Sequence, residues 1–278
     1  MVELSVVVPT LSPPEEVESV RYLERGTVDD YEVIVCDETP VTRARNKGIE
    51  RASAEKIVFL DDDSRPARDY LEHASAALDE APAYAGRTVH PRRDVFRRHF
   101  TSHYHDGIEP ASVDRFWGCN MGVRREVFET VGGWDEGMRW GHEEKELADR
   151  VRAEFEIRYD PKVAVEHPYA DSIADYWRKQ YRLETQTPYY WRRRGATRRE
   201  CLRRIVADAT TLRSYLRPDV IATGVQVGAA LAKTAGRLTG LAAVADRRSA
   251  AGDVPEFEPR SREGPDGGAE LSRPSHVD

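Results

Sequence analysis

Lysine is scarce in this 278-residue chain: only Lys47, Lys56, Lys145, Lys162, Lys179 and Lys233 occur among 42 basic residues, so arginine carries most of the positive charge. Cysteine is scarcer still. Cys36, Cys119 and Cys201 are odd in number, far apart and never in CxxC spacing, which argues against a disulfide framework and against a cysteine metal site. A reducing compartment is the simplest home for such a chain. No basic segment followed by an apolar one opens the sequence, so no secretory signal is expected and the catalytic part is expected to be cytoplasmic. Nor is there an unbroken run of about 20 apolar residues, the length a membrane span needs. Residues 220–245 come nearest, but Gln226, Lys233 and Arg237 interrupt them, and an interfacial or packed helix is expected there. No internal repeat is visible.

What is present reads as a globular protein with an uneven charge. Hydrophobic residues make up 40% and charged residues 33%, enough apolar material for a substantial core in a chain of this length. The formal charge of −7 conceals two parts. Residues 178–217 hold twelve Arg or Lys against Glu184, Glu200 and Asp208, a local +9 that leaves −16 elsewhere. Trp177, Tyr181, Tyr189, Tyr190 and Trp191 are interleaved with these cations, a pairing that suits the lipid interface or a phosphate-bearing lipid acceptor. A peripheral position on the inner face of the cell membrane is therefore expected. Nucleic acid is not, because the remainder is acidic and carries no nucleic-acid motif.

Short valine-rich runs at 2–8, 31–36 and 56–60 read as buried strands, and the periodicity between and after them predicts helices over 14–25, 42–52 and 69–80. This alternation predicts an α/β fold with a mostly parallel sheet flanked by helices. Residues 90–118 read as a partly loop-like excursion. Helices are expected over 124–131 and 143–155, a strand pair across 156–166, and one long amphipathic helix over 171–194. The organisation that follows is a catalytic domain at 1–170, with a nucleotide-binding half at 1–90 and an acceptor half at 91–170. A basic helical extension occupies 171–246, and a disordered tail 247–278, where glycine, proline and charge accumulate.

In open α/β sheets ligands bind beyond the carboxyl ends of the strands, and the polar residues cluster there. Asp61, Asp62 and Asp63 follow the third strand; three adjacent carboxylates call for a compensating cation, and an all-oxygen site suits Mg²⁺ or Mn²⁺. A solvated acidic turn capping the next helix is the plainer alternative. Asp37, Arg43, Arg45 and Asn46 sit where a base, ribose or phosphate would be bound, or are simply a turn and solvated cations. Downstream, a glycine-rich aromatic segment includes Gly118, Asn120, Trp134, Asp135 and Trp140, residues suited to approach and stack on a sugar. Glu143 and Glu144 open a helix, either as a general base and its companion or as acids favoured by the helix dipole.

Taken in order, Val7-Val8-Pro9-Thr10, Asp37, Ala44-Arg45-Asn46-Lys47-Gly48, Leu60-Asp61-Asp62-Asp63, Gly118-Cys119-Asn120-Met121, Gly132-Gly133-Trp134-Asp135-Glu136 and Glu143-Glu144 resemble the family 2 glycosyltransferases of the GT-A fold over residues 2–168. The resemblance implies a Rossmann-like sheet and inverting transfer from a nucleotide diphosphate sugar to a glycan or lipid-phosphate-linked hydroxyl. It implies that Pro9, Thr10, Asp37, Arg45, Asn46, Asp61 and Asp62 line the nucleotide-sugar pocket, and that Gly118, Asn120, Trp134, Asp135 and Trp140 face the acceptor. Asp63, Asp61 and His167 would hold the metal, Glu144 would be the base and Glu143 would orient the acceptor. The sequence departs from the family in Asp37-Glu38-Thr39, where Asp-Asp-Gly-Ser is usual, and in Glu144, where Asp is usual. Two rivals are a haloacid-dehalogenase-like phosphatase, whose Asp-x-Asp sits on the first strand, and an inactive transferase-like binding module.

Overall fold

The computed structural model describes residues 2–91, 106–211, 215–217, 219–244 and 254–259. From the N-terminus, β1 (Leu4–Pro9), α1 (Glu18–Leu23), β2 (Tyr31–Cys36), α2 (Val41–Arg51), β3 (Lys56–Leu60), the two-residue β4 (Arg65–Pro66), α3 (Tyr70–Glu80) and β5 (Ala83–Val89) follow one another. Then come β6 (Ala111–Val113), β7 (Asn120–Arg124), α4 (Arg125–Val131), α5 (Glu143–Glu154) and β8 (Ile157–Glu166). The C-terminal helices are α6 (Ile173–Glu184), α7 (Thr187–Arg193), α8 (Arg198–Thr210) and α9 (Val220–Ala243).

The sheet runs β2-β1-β3-β7-β5-β8-β4, with β6 also on β8. The α/β class holds, but the sheet is mixed. β1 pairs in parallel with β2 and β3, whereas β7 runs antiparallel to both β3 and β5. A short βα turn fixes a parallel neighbour; β7 instead arrives after the long connection from β5, and so it enters from the opposite end.

Alternation along the strands explains why their apolar runs are continuous. Val7, Ile57 and Phe59 point to one face, beneath α2, α4 and α5; Leu4, Val6, Val8, Val58 and Leu60 point to the other, against α1 and α3. Phe59 meets Trp134 and Phe128 edge-on at centroid distances of 5.5 and 6.0 Å.

Three expected elements differ. Residues 156–166 form one strand, not a pair; its pairing with β5 jumps from Gly86↔Asp160 to Arg87↔Ala164, so three residues bulge within it. The helix expected over 171–194 is broken into α6 and α7, because Pro188 lacks the N–H a continuing helix would use and its ring opposes the carbonyl four residues back. Residues 254–259 are ordered, against the expectation of a tail disordered from 247: Pro255 O accepts from Gly133 N at 2.8 Å, and the Phe257 ring packs 6.3 Å from that of Phe128. A Cβ at Gly133 would lie 2.6 Å from Phe257 and 2.5 Å from Asn46, so only glycine admits this strap. The rest of that tail, and residues 92–105 of the excursion, lie outside the described residues.

α9 packs along α6, with Trp177 Nε1 donating to Val225 O at 2.9 Å, and no helix is long and apolar enough to cross a membrane among the described residues.

Candidate active site

The tips of β1, β3, β7 and β8 converge. Thr10, just past β1, donates to Asp62 Oδ2 at 2.5 Å, tying the acidic run to the neighbouring strand. In register, Leu60 of β3 faces Asn120 of β7, which sets Asp61 opposite Cys119 one step further out. β4 pairs Arg65 with Glu166, which brings His167 to the other side of the run. His167 Nε2 lies 3.0 Å from Asp63 Oδ1 and 3.6 Å from Asp61 Oδ2. Asp61, Cys119 and His167 each offer a ligand atom, all within 4.8 Å of one another.

Electrostatics follow from this crowding. Burial opposes ionisation of Asp61, but hydrogen bonding to His167 and the charge of Arg45 outweigh it and lower its pKa. Burial disfavours protonated His167 too, yet Cys119, Asp61 and Asp63 raise its pKa well above the usual imidazole value. Burial raises Asp62, helped by its two acidic neighbours, and pushes the Cys119 thiol up to about 11. The imidazolium thus compensates two carboxylates where a divalent cation would do so.

The donor set fits such an ion, with a change of character. One imidazole nitrogen and one sulfur lie beside the Asp61 carboxylate, so the candidate ligand atoms gathered here are not all oxygen.

Arg45 links this cluster to the opening of α5. Its side chain is 3% exposed, with Nη2 at 3.2 Å from Asp61 Oδ1 and Nη1 at 3.2 Å from Glu143 Oε1, and its guanidinium lies 4.6 Å from the Trp134 ring centroid. Arg45, expected to line the nucleotide-sugar pocket, is an internal brace between two carboxylates in this structure. Glu143 Oε2 and Arg45 Nε are buried with no hydrogen-bond partner among the described residues, so the brace leaves capacity unfilled. Glu144, next along, is pushed up to about 8 by burial and then by Glu143, with Arg45 opposing and Asp61 adding.

The N-terminus of α5 is held by the C-terminal helices. His142 adopts a left-handed φ of 64°, strained for a residue with a side chain, and its Nε2 lies 2.8 Å from Thr187 Oγ1 at the start of α7. Glu184, ending α6, receives Arg237 of α9 at 2.6 Å. His142 and Arg237 together hold its carboxyl far below the usual range although burial works the other way.

Several expected site residues are placed elsewhere. Asn46 is 1% exposed; its amide donates to Trp134 O at 3.0 Å and accepts from Trp134 N at 2.8 Å, which clamps the 132–136 turn rather than facing a nucleotide. Asn120 is fully buried, donating to Arg87 O and Val163 O at 3.0 Å each across the bulge of β8 and accepting from the Tyr70 hydroxyl at 3.0 Å. Trp134 is fully buried in the core. Asp135 is 1% exposed and bound by Arg193 at 3.0 Å and by Gly137 N at 2.9 Å. Gly118 is glycine because a Cβ there would stand 2.7 Å from Arg45 Nη2. Trp140, half-buried, lies under the Arg182 guanidinium at 4.8 Å. Pro9 ends β1 and Asp37 is exposed just past β2.

The acidic run stands at the tip of the third strand, flanked by a histidine and braced to paired glutamates at a helix start, whereas a haloacid-dehalogenase-like phosphatase was expected to carry its acids on the first strand. Residues 12–132 match the family described as "Glycosyl transferase family 2", and residues 98–167 match "N-terminal domain of galactosyltransferase". The chain is thus similar to the family 2 glycosyltransferases over residues 12–132. No curated protein matches it in sequence. Among solved structures it is similar to GalNAc-T7, crystallised with UDP, GalNAc and Mn²⁺, at 13% identity, TM-score 0.47, over 59% of this chain and 43% of that one. It is also similar to S. aureus TarS, at 13% identity, TM-score 0.48, over 85% of this chain and 55% of that one. The chain thus spans about half the length of either.

Proposed function

We propose that the protein transfers a sugar, with inversion, from a nucleoside diphosphate sugar to an acceptor hydroxyl, in a reaction dependent on a divalent cation, Mn²⁺ in preference to Mg²⁺. The observation that carries this reading is the Arg45 brace: one buried guanidinium fixes Asp61, in the metal cluster, relative to Glu143, beside the base. Asp61, Asp63, His167 and Cys119 would hold the ion, which supplies charge neutralisation for the departing diphosphate. Thr10 and Asp37 border the nucleotide.

In the transfer, the acceptor oxygen forms a bond to the anomeric carbon as the bond from that carbon to the diphosphate oxygen breaks. The nucleoside diphosphate leaves with the bonding pair, and the acceptor proton passes to Glu144. A raised pKa makes Glu144 a strong enough base for an alcohol once it is deprotonated. Mn²⁺-dependent hydrolysis of a panel of nucleotide sugars tests the donor half directly. Donor binding with no turnover on any acceptor would instead mark an inactive binding module.

The acceptor is a glycan or lipid-phosphate-linked sugar, and the protein sits peripherally on the cytoplasmic face of the membrane. Support comes from α9, where Val220, Val227, Leu231 and Leu238 are exposed at spacings of seven, four and seven, a single helix face, near the arginines of α8. Co-sedimentation with anionic vesicles should be lost in Leu231→Glu; retention would remove the membrane role.

A further inference from the structure

Glu144 borders a second space besides the metal crevice. A cavity of about 540 Å³ opens between α5 and the C-terminal helices, with Phe116 and Trp117 on one wall and Tyr190 on another. Arg115, Lys145, Arg152, Arg194 and Arg204 contribute five cations to its lining, against Asp114, Asp149 and Glu144. The two aspartates are already engaged. Asp149 is held by Arg194 and by the Tyr190 hydroxyl; Arg115 meets Asp106 at 3.2 Å and Asp114 at 3.6 Å.

Lys145, Arg152 and Arg204 have no carboxylate within ion-pairing distance among the described residues. Two of them rest on aromatic rings instead: Lys145 Nζ lies 5.1 Å from the centroid of Tyr190, and the Arg204 guanidinium 5.4 Å from that of Trp191. Ring stacking fixes a cation's position yet leaves its hydrogen-bond donors open. Lys145, Asp149 and Arg152 recur at the i, i+4, i+7 positions of one stripe along α5, and Arg204 faces it from α8. From Glu144 to Arg152 that stripe extends about 12 Å at 1.5 Å per residue.

A wall carrying three unpaired cations beside the catalytic base is matched to an anion on the substrate that enters there. We infer that the cavity receives the acceptor, and that the acceptor carries a phosphate, within about 12 Å of its reacting hydroxyl, bound by Lys145, Arg152 and Arg204. The inference rests on the glycosyl-transfer reading and adds to it the charge class of the acceptor and the residues that select it. The basic C-terminal extension then acts as an acceptor-selecting wall, since Arg204 belongs to it. A phosphate is preferred over a lone carboxylate because two guanidiniums and an ammonium offer donors to several oxygens at once.

The test takes the full chain with Mn²⁺ and whichever donor it hydrolyses. Transfer is compared on a neutral alkyl glycoside, the same glycoside bearing a phosphate ester, and a glycosyl phosphate on a long-chain lipid. The phosphorylated acceptors should be preferred by about 10- to 100-fold in kcat/KM, the range expected for hydrogen bonds to a charged group. That ratio should fall towards one in the Arg152→Ala/Arg204→Ala double variant, mainly through acceptor KM, and should recover in part with lysine at both positions. Raising ionic strength from about 0.05 to about 0.5 M should erode it too. Equal use of the soluble and lipid phosphates assigns the recognition to the phosphate alone, and activity on the lipid form only assigns it to a headgroup at a membrane. Equal rates on neutral and phosphorylated acceptors, or an unchanged ratio in the double variant, overturn the inference. Absence of donor hydrolysis overturns the transferase reading instead. Calorimetric binding of inorganic pyrophosphate then decides the cavity by itself, and an affinity unaltered by the double substitution counts it out.

Discussion

The strand-tip cluster and the 118–140 segment carry similar residues, yet they are used in opposite ways. At the tips, Asp61 and Asp63 keep a third or more of their side chains exposed and meet only their immediate neighbours, His167 and Arg45. In the 118–140 segment Asn120, Trp134 and Asp135 are buried, and every strong contact they make is internal. Polar and aromatic residues beside a sugar site are therefore of two kinds, those that wait for a ligand and those that shape the loops presenting it. Burial separates them, although Trp134 Nε1 is buried with no hydrogen-bond partner among the described residues.

The sharpest break of this contrast is expected at the cluster. Asp63→Ala should lower transfer by about 10³-fold or more while leaving the thermal midpoint nearly unchanged, and chelation should mimic it until Mn²⁺ is restored; an active Asp63→Ala enzyme would remove the metal assignment. Glu144→Gln should cost about 10²- to 10⁴-fold in turnover with donor binding intact. Since the base works only when ionised, wild-type kcat should rise with pH towards about 8 and flatten above it, and that limb should vanish in the glutamine variant. Trp134→Ala should act on the other side of the comparison, lowering stability by about 3–5 kcal/mol in denaturant titrations. If it instead folded normally with a raised acceptor KM, Trp134 would rejoin the site. The smallest effect concerns Glu184. Its pKa is lowered in the fold, so its contribution is full above the ordinary value of 4.5 and is lost as pH falls below that. Wild type should therefore lose more stability than Glu184→Gln between neutral and acidic pH.

Much of the scaffold was legible because short strands buried on both faces leave continuous valine-rich runs, and α2, α3 and α5 fell within a residue or two of their periodicity. The acidic run and the Glu143-Glu144 pair stood out because their chemistry is conspicuous at an element end, whereas His167 came only from the family resemblance. Cys119 did not stand out, since its place opposite Asp61 depends on β7 running antiparallel to β3, a pairing that no local pattern encodes. The internal contacts of Asn46, Asn120 and Asp135 were hidden for a related reason. Side chains able to bind a sugar are equally able to bind a backbone, and composition does not say which arrives first. Arg45 was noticed for its charge, but its role as a brace needed the distance to Glu143, 98 positions away.

The strap at 254–259 sets an order of events during synthesis. The turn at Gly132–Gly133 receives a hydrogen bond acceptor from Pro255, roughly 120 residues later in the chain. At ribosomal speeds of about 5–20 residues per second, several seconds pass between the emergence of that turn and the arrival of its partner. Through that interval Phe128 lacks its contact with Phe257, and Gly133 N lacks its acceptor. The sheet can assemble early, but the segment that leads to α5 is sealed only once residues 254–259 have been made.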